Sequence, residues 1–438
     1  MISSNYPKIL IVGQYFNTKS GGGITMTNLF KGWDKGNIAV VSQNIINPDF
    51  EICNKYYQLG PLEIKRRFPF NINLWKKQIQ SGIICQKEVS TFSSFTNDSK
   101  KSELQKMYFR LLYFTGLYYY KSRYRISKEF LSWIKEYSPD IIYSQLSTIE
   151  LIKLVSDLHK TLRLPVAIHI MDDWPLTISK EGVFQSYWQK IIDKRFRRLL
   201  SDSKVLLSIS EAMSKEYMTR YQYNFIPFHN PIDVKFWSSF SKKNYELNGS
   251  FIILYAGRIG IGIQNCFFDI AEAVKCLILK GLKIEFHIQA TNFNPVLDTL
   301  AKLNFIKINP SVPYSELPRI FSKSDLLILP NDFDSKSISY LRYSMPTKAS
   351  EYMVSGTPIL LYSSIKTAVT CHALKYNWAY VVSEENKEKL EFAISELYEK
   401  KELRIKLANA AKEYAINHFE SNKIREQFKN SFIEESTC

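Results

Sequence analysis

Short apolar runs alternate with longer amphipathic stretches along the first half of the chain. The runs are rich in β-branched residues, which is typical of strands buried on both faces of a sheet. They are KILIVG at 8–13, IAVVSQ at 38–43, DIIYSQ at 140–145, VAIHIM at 166–171 and KVLLSIS at 204–210. Apolar residues at helical spacing occupy 126–137, 148–161, 185–200 and 211–221. This alternation predicts a parallel sheet covered by helices.

The alternation breaks at NFIPFHNPIDVKFWSSF, residues 224–240, where turn-forming and aromatic residues cluster. We therefore predict a Rossmann-like domain over 1–238 and a second one over 239–415. The strands predicted for the second half are FIILYAG at 251–257, IEFHIQA at 284–290, FIKIN at 305–309, LLILP at 326–330 and YVVS at 380–383. The final segment, 416–438, reads as a helix that crosses back to the first domain. Two such halves predict a cleft, with ligands at the carboxyl ends of the strands.

Charge is distributed unevenly over the 438 residues. Residues 1–249 hold 35 Lys and Arg against 21 Asp and Glu, a net charge of +14, out of +16 for the whole chain. A basic first half favours an anionic partner. Nucleic acid is not favoured, because no recognised binding module or basic repeat is present.

Cysteine usage and hydropathy restrict the class of protein further. The six cysteines form no CxxC pair and have no histidine at ligand spacing, which argues against a zinc site or a disulfide scaffold. The N-terminal segment lacks the pattern of an export signal. The apolar run LLYFTGLYYY at 111–120 is too short to span a bilayer. We expect a cytoplasmic protein.

A glycine triplet, Gly21, Gly22 and Gly23, follows the first predicted strand and precedes a helix. Glycines there let backbone N–H groups approach an anion at the helix N-terminus, and a diphosphate fits that requirement. A flexible turn without a ligand is the alternative, since GGG is neither a Walker loop nor a spaced dinucleotide fingerprint.

Carboxylates and an indole follow the strand at 166–171. His169, Asp172, Asp173 and Trp174 lie in IHIMDDWP, where carboxylates could hold sugar hydroxyls or act as a base. Alternatively, Asp173 caps a helix that starts at Pro175 and His169 is a core residue. The paired carboxylates are also compatible with a metal site, but no third ligand is visible nearby in the sequence.

Two further stretches place charges where strands end. Arg258 follows the strand FIILYAG among glycines, and its guanidinium suits a phosphate, although a surface ion pair is the alternative. Lys348 and Glu351 share one face of the short helix predicted in MPTKASEYMVSGTPILLY, with Ser344 or Thr347 as its cap and Gly356 as its stop. A surface Lys–Glu pair is the alternative here.

Aromatic, leucine and cationic residues are mixed over 107–134, MYFRLLYFTGLYYYKSRYRISKEFLSWI. This mixture is typical of a helix that lies at a membrane interface, where cations meet anionic lipids. It is equally compatible with a helical hairpin packed on its own domain.

Several of these stretches together resemble the retaining glycosyltransferases of family 4, which have the GT-B architecture of two facing Rossmann-like domains. The resemblance rests on the glycine triplet, DDWP, FHNPID at 228–233, YAGRI and PTKASEYMVSGTPIL. It implies that Glu351 accepts hydrogen bonds from a nucleotide ribose, and that Arg258 and the glycine amides neutralise a donor diphosphate. Lys348 would lie near the same site. The reaction would need neither a metal nor another cofactor.

Three departures from the family pattern stand out. No lysine follows Arg258 before Lys275, where the family commonly has one within a few residues. Tyr343 occupies the position of the first of two paired glutamates. Met171 stands where the HD-x-W-P form has histidine, so His169 is a candidate substitute on the same strand face.

The sequence therefore predicts a transferase that moves a hexose from a nucleoside diphosphate sugar to an acceptor, with retention of configuration. Arg258, Asp173 and His169 are the predicted catalytic residues, and Asp172, Asp173 and Trp174 the predicted acceptor contacts. We expect a lipid-linked glycan of bacterial surface-polysaccharide synthesis as the acceptor, at the inner face of the plasma membrane. The alternatives are a GT-B epimerase and a catalytically silent nucleotide-sugar-binding subunit.

Overall fold

The chain divides into two units, each built on its own sheet. The computed structural model describes residues 6–17, 21–68, 70, 80–86, 103–120, 122–177 and 182–433. The first unit runs to Phe228 and takes in the chain again from Arg425, and the second is His229–Ile424. We predicted the boundary after residue 238; the chain passes between the units at Phe228–His229. The last helix begins in the second unit, and its residues from Arg425 belong to the first.

The first unit is built on a sheet of eight strands among the described residues, in the order β10-β9-β8-β7-β1-β2-β3-β5. All neighbours are parallel except β3 and β5. Every residue of β1, β2, β7, β8 and β9 is buried, as expected for strands covered on both faces. Its strands are β1 (Ile9–Val12), β2 (Ile38–Ser42), β3 (Tyr56–Gln58), β5 (Gly82–Ile84), β7 (Ile141–Ser144), β8 (Val166–Ile170), β9 (Val205–Ser208) and β10 (Ile226–Pro227), with β4 (Ile64–Arg66) and β6 (Ser122–Tyr124) as a separate pair.

The second unit has a six-stranded parallel sheet in the order β13-β12-β11-β14-β15-β16, counted over the described residues. The strands are β11 (Phe251–Gly257), β12 (Ile284–Ala290), β13 (Ile306–Asn309), β14 (Leu326–Pro330), β15 (Ile359–Tyr362) and β16 (Tyr380–Val382). β11 pairs with β12 along its whole length, but its ladder with β14 ends at Leu254 and Leu327. The carboxyl end of β11 therefore lacks a strand on one side.

Helices connect the strands of both units. In the first unit they are α1 (Gly21–Phe30), α2 (Glu103–Phe114), α3 (Lys128–Tyr137), α4 (Ile149–Leu162), α5 (Trp174–Thr177), α6 (Gln185–Ser201) and α7 (Glu211–Tyr221). In the second they are α8 (Val234–Ser238), α9 (Cys266–Leu279), α10 (Pro295–Leu300), α11 (Leu317–Lys323), α12 (Ser335–Leu341), α13 (Thr347–Val354), α14 (Ala368–Tyr376), α15 (Lys387–Glu399) and α16 (Lys401–Phe419), followed by α17 (Ser421–Ile433). The strands and helices predicted in the sequence analysis are all found, with ends shifted by a few residues.

The aromatic core of the first unit includes a residue from the last helix. Phe428 is fully buried, with its ring centroid 5.1 Å from that of Phe30 and 5.3 Å from that of Phe228. It also lies 6.3 Å from the ring of Tyr143 and 6.4 Å from that of His169. Edge-to-face pairs of this kind stabilise beyond the area that they bury.

We expect Phe428→Ala to destabilise the first unit by about 3–5 kcal/mol, because it leaves a cavity among rings that cannot collapse onto it. Urea unfolding followed by tryptophan fluorescence measures the loss. Gln427→Ala, at an exposed neighbouring position, is the control and should change stability by no more than about 0.5 kcal/mol. Equal stability of the two variants would contradict the role assigned to Phe428.

Candidate functional site

Arg258 stands at the carboxyl end of β11, directly after Gly257. Gly257 has φ +143°, a conformation that favours glycine. The Arg258 side chain is exposed, and within the described part of the chain its guanidinium forms no hydrogen bond or ion pair. The alternative of a surface ion pair therefore has no partner among these residues. Arg258 is available to an anion.

The loop that carries Arg258 is held by two polar side chains from neighbouring strands. Asn292, after β12, accepts from the Ile259 amide and donates to the Ile259 carbonyl, both at 2.9 Å. Asp332, after β14, accepts from the amides of Gln264 at 2.9 Å and Cys266 at 2.8 Å. Asp332 thus occupies amides at the start of α9, so an anion bound at Arg258 would depend on side chains for its counter-charge.

Helix α13 is tied to the same strand end. The Tyr352 hydroxyl accepts from the Ala256 amide at 2.8 Å and donates to the Ala256 carbonyl at 3.3 Å. These are backbone groups that β14 does not reach. The predicted cap by Ser344 or Thr347 is wrong, since Pro346 occupies the N-cap position and has no side-chain cap. Gly356, with φ +76°, follows the helix as predicted.

Lys348 reaches from α13 to the end of β11. Its Nζ donates to the Tyr255 hydroxyl at 2.7 Å and lies 4.0 Å from the centroid of that ring. The Tyr255 hydroxyl in turn donates to the Arg258 carbonyl at 2.6 Å. A Cβ on Gly257 would lie 2.4 Å from Nζ, so a larger residue there would displace the ammonium. Burial lowers the pKa of Lys348 to about 7, although the Glu351 charge opposes that shift.

Glu351 lies one turn further along α13 and is only 7% exposed. Burial raises the pKa of its carboxyl to about 7, against a hydrogen bond from Tyr314 and the charge of Lys348, which lower it. Tyr314 is itself held by Trp237, whose Nε1 donates to the Tyr314 hydroxyl at 3.3 Å. A buried acid and base that both titrate near neutrality are typical of functional sites. The structure thus brings together three of the predicted site residues, Arg258, Lys348 and Glu351.

The glycine triplet of the first unit opens helix α1, as predicted. A Cβ on Gly23 would lie 2.3 Å from the Asn17 amide nitrogen, and one on Gly22 would lie 3.3 Å from Oε1 of Gln145. Gln145 is buried, and its Oε1 has no hydrogen-bond partner among the described residues. A larger residue at Gly23 would therefore displace the Asn17 side chain. The diphosphate role of Gly21, Gly22 and Gly23 stays a prediction.

The Asp173 carboxylate is held by hydrogen bonds from Arg220 and Tyr217. Its Oδ1 and Oδ2 accept from Arg220 at 2.8 and 3.0 Å, and Oδ1 also accepts from the Tyr217 hydroxyl at 3.1 Å. The Asp173 side chain is buried in this bidentate pair. Trp174 is buried beside it, whereas Asp172 is partly exposed. This geometry favours a positioning role for Asp173, and its predicted catalytic role remains untested.

His169 lies inside β8 and is fully buried. Its Nδ1 forms a 2.8 Å hydrogen bond with the Tyr143 hydroxyl, which accepts from Gln145 Nε2 at 3.2 Å. Burial lowers the pKa of His169 to about 3, although the Ser208 backbone opposes that shift. A neutral, enclosed imidazole fits the alternative of a core histidine, and the catalytic prediction has no support from this environment.

Sequence reasoning missed the residues that hold the site together, namely Tyr255, Asn292, Tyr314 and Asp332. Asn292 and Asp332 each follow a predicted strand, and that position at the carboxyl edge was the available signal. The described residues contain no group of three or more His, Cys, Asp and Glu side chains placed to bind a metal ion. The prediction that the reaction needs no metal stays a prediction.

We expect Glu351→Gln to stabilise the protein more at pH 8 than at pH 5. The folded-state pKa lies above the ordinary value of a glutamate, so stability falls as pH rises between about 4.3 and 7, by on the order of 3 kcal/mol. The Glu351→Gln variant has no carboxyl group at this position, so it does not lose this stability as pH rises. Differential scanning fluorimetry at pH 5, 6, 7 and 8 measures the difference in melting temperature.

Glu396→Gln is the matched control, because Lys400 and Tyr380 hold the pKa of Glu396 below its usual value. That variant should lose stability at pH 8 rather than gain it. A Glu351→Gln difference that does not depend on pH would contradict the buried, raised-pKa carboxyl.

Comparison with known proteins gives a match at the level of structure. No protein-family model and no curated protein sequence matches the chain. HepE of Anabaena, in complex with UDP-glucose, aligns with a TM-score of 0.60 and 12% identity over 98% of this chain and 100% of that chain.

Two other solved structures are similar over the same extent. Sucrose-phosphate synthase from Thermosynechococcus elongatus has a TM-score of 0.62 and 10% identity over 97% of this chain and 98% of its own. A glycosyltransferase from Rickettsia africae has a TM-score of 0.58 and 13% identity over 98% of this chain and 99% of its own. The predicted fold class is thus confirmed, and the chain has the GT-B fold with two Rossmann-like units.

Proposed function

We propose that the protein is a glycosyltransferase that moves a hexose from a nucleoside diphosphate sugar to a glycan acceptor with retention of configuration. The observation that carries this proposal is the group formed by Arg258, Lys348 and Glu351 at the carboxyl end of β11. An unpaired guanidinium and an ammonium suit a diphosphate, and the buried carboxylate suits ribose hydroxyls. The similar structures include HepE with UDP-glucose, which supports a sugar-nucleotide donor.

The leaving diphosphate would be stabilised chiefly by Arg258. A fixed donor aimed at developing negative charge contributes on the order of 3 kcal/mol in comparable sites. The Tyr255, Asn292 and Asp332 hydrogen bonds hold the Arg258 loop in place before substrate binds, which favours this kind of preorganised stabilisation. The Gly21–Gly23 amides would contribute further N–H donors to the same diphosphate. No metal is required in this scheme.

The acceptor hydroxyl would attack from the face that the phosphate leaves, and the departing phosphate oxygen would take the hydroxyl proton. We assign Asp172 to the acceptor, because its side chain is partly exposed beside the end of β8. Asp173, locked to Arg220, and the buried Trp174 would fix the direction of that segment. His169 would act through Tyr143 and Gln145 rather than on the substrate.

A lipid-linked acceptor at an anionic membrane surface, as in bacterial surface-polysaccharide synthesis, is supported by one face of the first unit. Exposed apolar side chains cluster on α2, on the turn after it, on the segment before α6 and on the first turn of α6; they are Met107, Tyr108, Leu111, Phe114, Leu117, Val183, Phe184 and Tyr187. We call these residues the aromatic face. The Val183 amide donates to the Phe114 carbonyl at 2.8 Å and joins the two segments.

Three exposed cations lie on the two helices that carry the aromatic face. Arg110 on α2 and Lys190 and Lys194 on α6 are exposed, and the described residues 107–120 include no acid. Lys121, which belongs to the sequence stretch 107–134, lies outside the described residues. No helix in the described ranges has the length and apolarity to cross a bilayer. On the strength of the aromatic face and these cations, we propose binding at the surface of the cytoplasmic leaflet.

The same donor-binding residues would also serve a sugar-nucleotide epimerase or a catalytically silent binding subunit. The missing loop lysine favours the silent subunit. Incubation with a panel of sugar nucleotides, with and without membrane lipid extract, separates these functions. Nucleoside diphosphate released only with acceptor supports the transferase. An isomerised donor would show an epimerase, and binding without turnover a silent subunit.

Arg258→Ala and Glu351→Ala should each lower turnover or donor affinity at least about tenfold, since each removes a group that contacts the donor. Steady-state release of nucleoside diphosphate and donor titration measure these losses. Arg319→Ala, on the exposed part of α11, is the control. Wild-type kinetics in both site variants, with folding confirmed by melting, would refute the assignment.

The aromatic face should bring the protein to vesicles that contain phosphatidylglycerol, and less so at high salt, because each cation near the surface contributes about 1 kcal/mol. Flotation at low and high salt measures the bound fraction. A Leu111→Ser, Phe114→Ser, Phe184→Ser variant should lose most binding. The matched control, Leu279→Ser with Phe392→Ser, replaces exposed apolar residues of the second unit and should float like wild type. Salt-insensitive or absent flotation of the wild type would exclude this surface.

A further inference from the structure

The proposed donor site has one cation, Arg258, on the loop that follows β11. Between Arg258 and Lys275 the chain has no Lys or Arg, and Asp332 already accepts from the Gln264 and Cys266 amides. A sugar-linked diphosphate carries two negative charges. The second counter-charge must come from another element, and Lys348 on α13 is the cation in hydrogen-bond contact with Tyr255, next to Arg258.

The Lys348 ammonium packs closely against its neighbours, but no carboxylate of the described residues forms an ion pair with it. Nζ lies over the Tyr255 ring, beside Gly257, and none of the described carboxylates pairs with it within 4.0 Å. The titratable groups that face it are Glu351 on α13, Tyr255 on β11 and Cys266 on α9, with Arg258 in the adjoining loop. Lys348 is partly exposed as a residue, as a group that meets a ligand must be.

We propose that Lys348 is the second cation of the donor site and that it takes up a proton from solvent when the diphosphate binds beside it. This inference rests on the proposed function. In the free protein, burial disfavours the ammonium, since no carboxylate of the described residues pairs with it. A diphosphate at contact distance supplies the missing negative charge and restores the protonated form. One proton from the buffer balances the step, and no covalent bond changes.

The sign of the pH dependence follows from linkage. The pKa of Lys348 in the free protein is about 7, and the bound diphosphate raises it. Between those two values the complex holds one proton more than the free partners, so affinity falls about tenfold for each unit of rising pH. Near pH 7 the proton count on binding also includes Glu351. Its pKa is also about 7, and ribose binding favours its carboxylate, so it would release a proton where Lys348 takes one up. At pH 8 Glu351 is mostly ionised before binding and contributes little.

Titration calorimetry with UDP-glucose at pH 8, in HEPES and in Tris buffer, whose ionisation enthalpies differ, measures the number of protons taken up. UDP-glucose is suitable because its diphosphate diester does not titrate between pH 6 and 8.5. We expect the wild type to take up most of one proton per molecule, and to lose up to about tenfold in affinity between pH 7.5 and 8.5. Lys348→Arg should bind without proton uptake and with weak pH dependence, because the guanidinium stays charged.

Lys348→Met should bind at least about tenfold more weakly and take up no proton. Lys283→Met, at the amino end of β12 and hence at the opposite edge of the sheet, should retain the wild-type uptake. Binding by the wild type without proton uptake, and with affinity independent of pH, would overturn the role of Lys348 while leaving the donor site intact. If neither UDP-glucose, ADP-glucose nor GDP-mannose binds the wild type, the proposed function fails and this inference fails with it.

Discussion

The position of helix α13 in the second unit depends on the hydrogen bonds of the Ala256 amide and carbonyl. β11 extends beyond its ladder with β14, so the amide and carbonyl of Ala256 lose a strand partner in the protein interior. Buried backbone groups without partners cost free energy, and the Tyr352 hydroxyl meets both of them. That contact fixes α13 against the strand end. Because Lys348 and Glu351 lie on the same short helix, their distance from Arg258 follows from a tyrosine that does not touch the ligand in our proposal.

A second constraint acts on the charge of the site. Lys348 and Glu351 share a helix face, yet the buried surroundings shift both of their pKa values toward neutrality, in opposite directions. A surface Lys–Glu pair would keep ordinary pKa values and would contribute only a few tenths of a kcal/mol. Burial therefore separates the two interpretations that spacing alone left open. The stability that the fold loses to these groups is consistent with their retention for binding.

Local pattern predicted the strands, most helices, the two Rossmann-like units and the helix end at Gly356, because each depends on residues close in sequence. The GT-B fold followed from the resemblance to family 4 glycosyltransferases. The pattern could not predict how Asp173 and His169 are surrounded. Arg220 is 47 residues from Asp173 in the chain, and Phe428 reaches His169 from the last helix. The hydrogen bonds of Asn292 and Asp332 likewise join separate loops. Only the three-dimensional path of the chain decides whether a carboxylate or an imidazole at a strand end is open or enclosed.

The position of Phe428 has a consequence for biosynthesis. Ribosomes make the first unit's sheet early, but the aromatic residue that closes its core belongs to α17, which emerges after the whole second unit. The rings of Phe30, Tyr143 and Phe228 therefore lack the cover of Phe428 while nearly 200 further residues are translated. Newly made chains would expose an apolar surface during that interval, so holding chaperones have a longer window of action on this protein than on one whose domains are each contiguous in sequence.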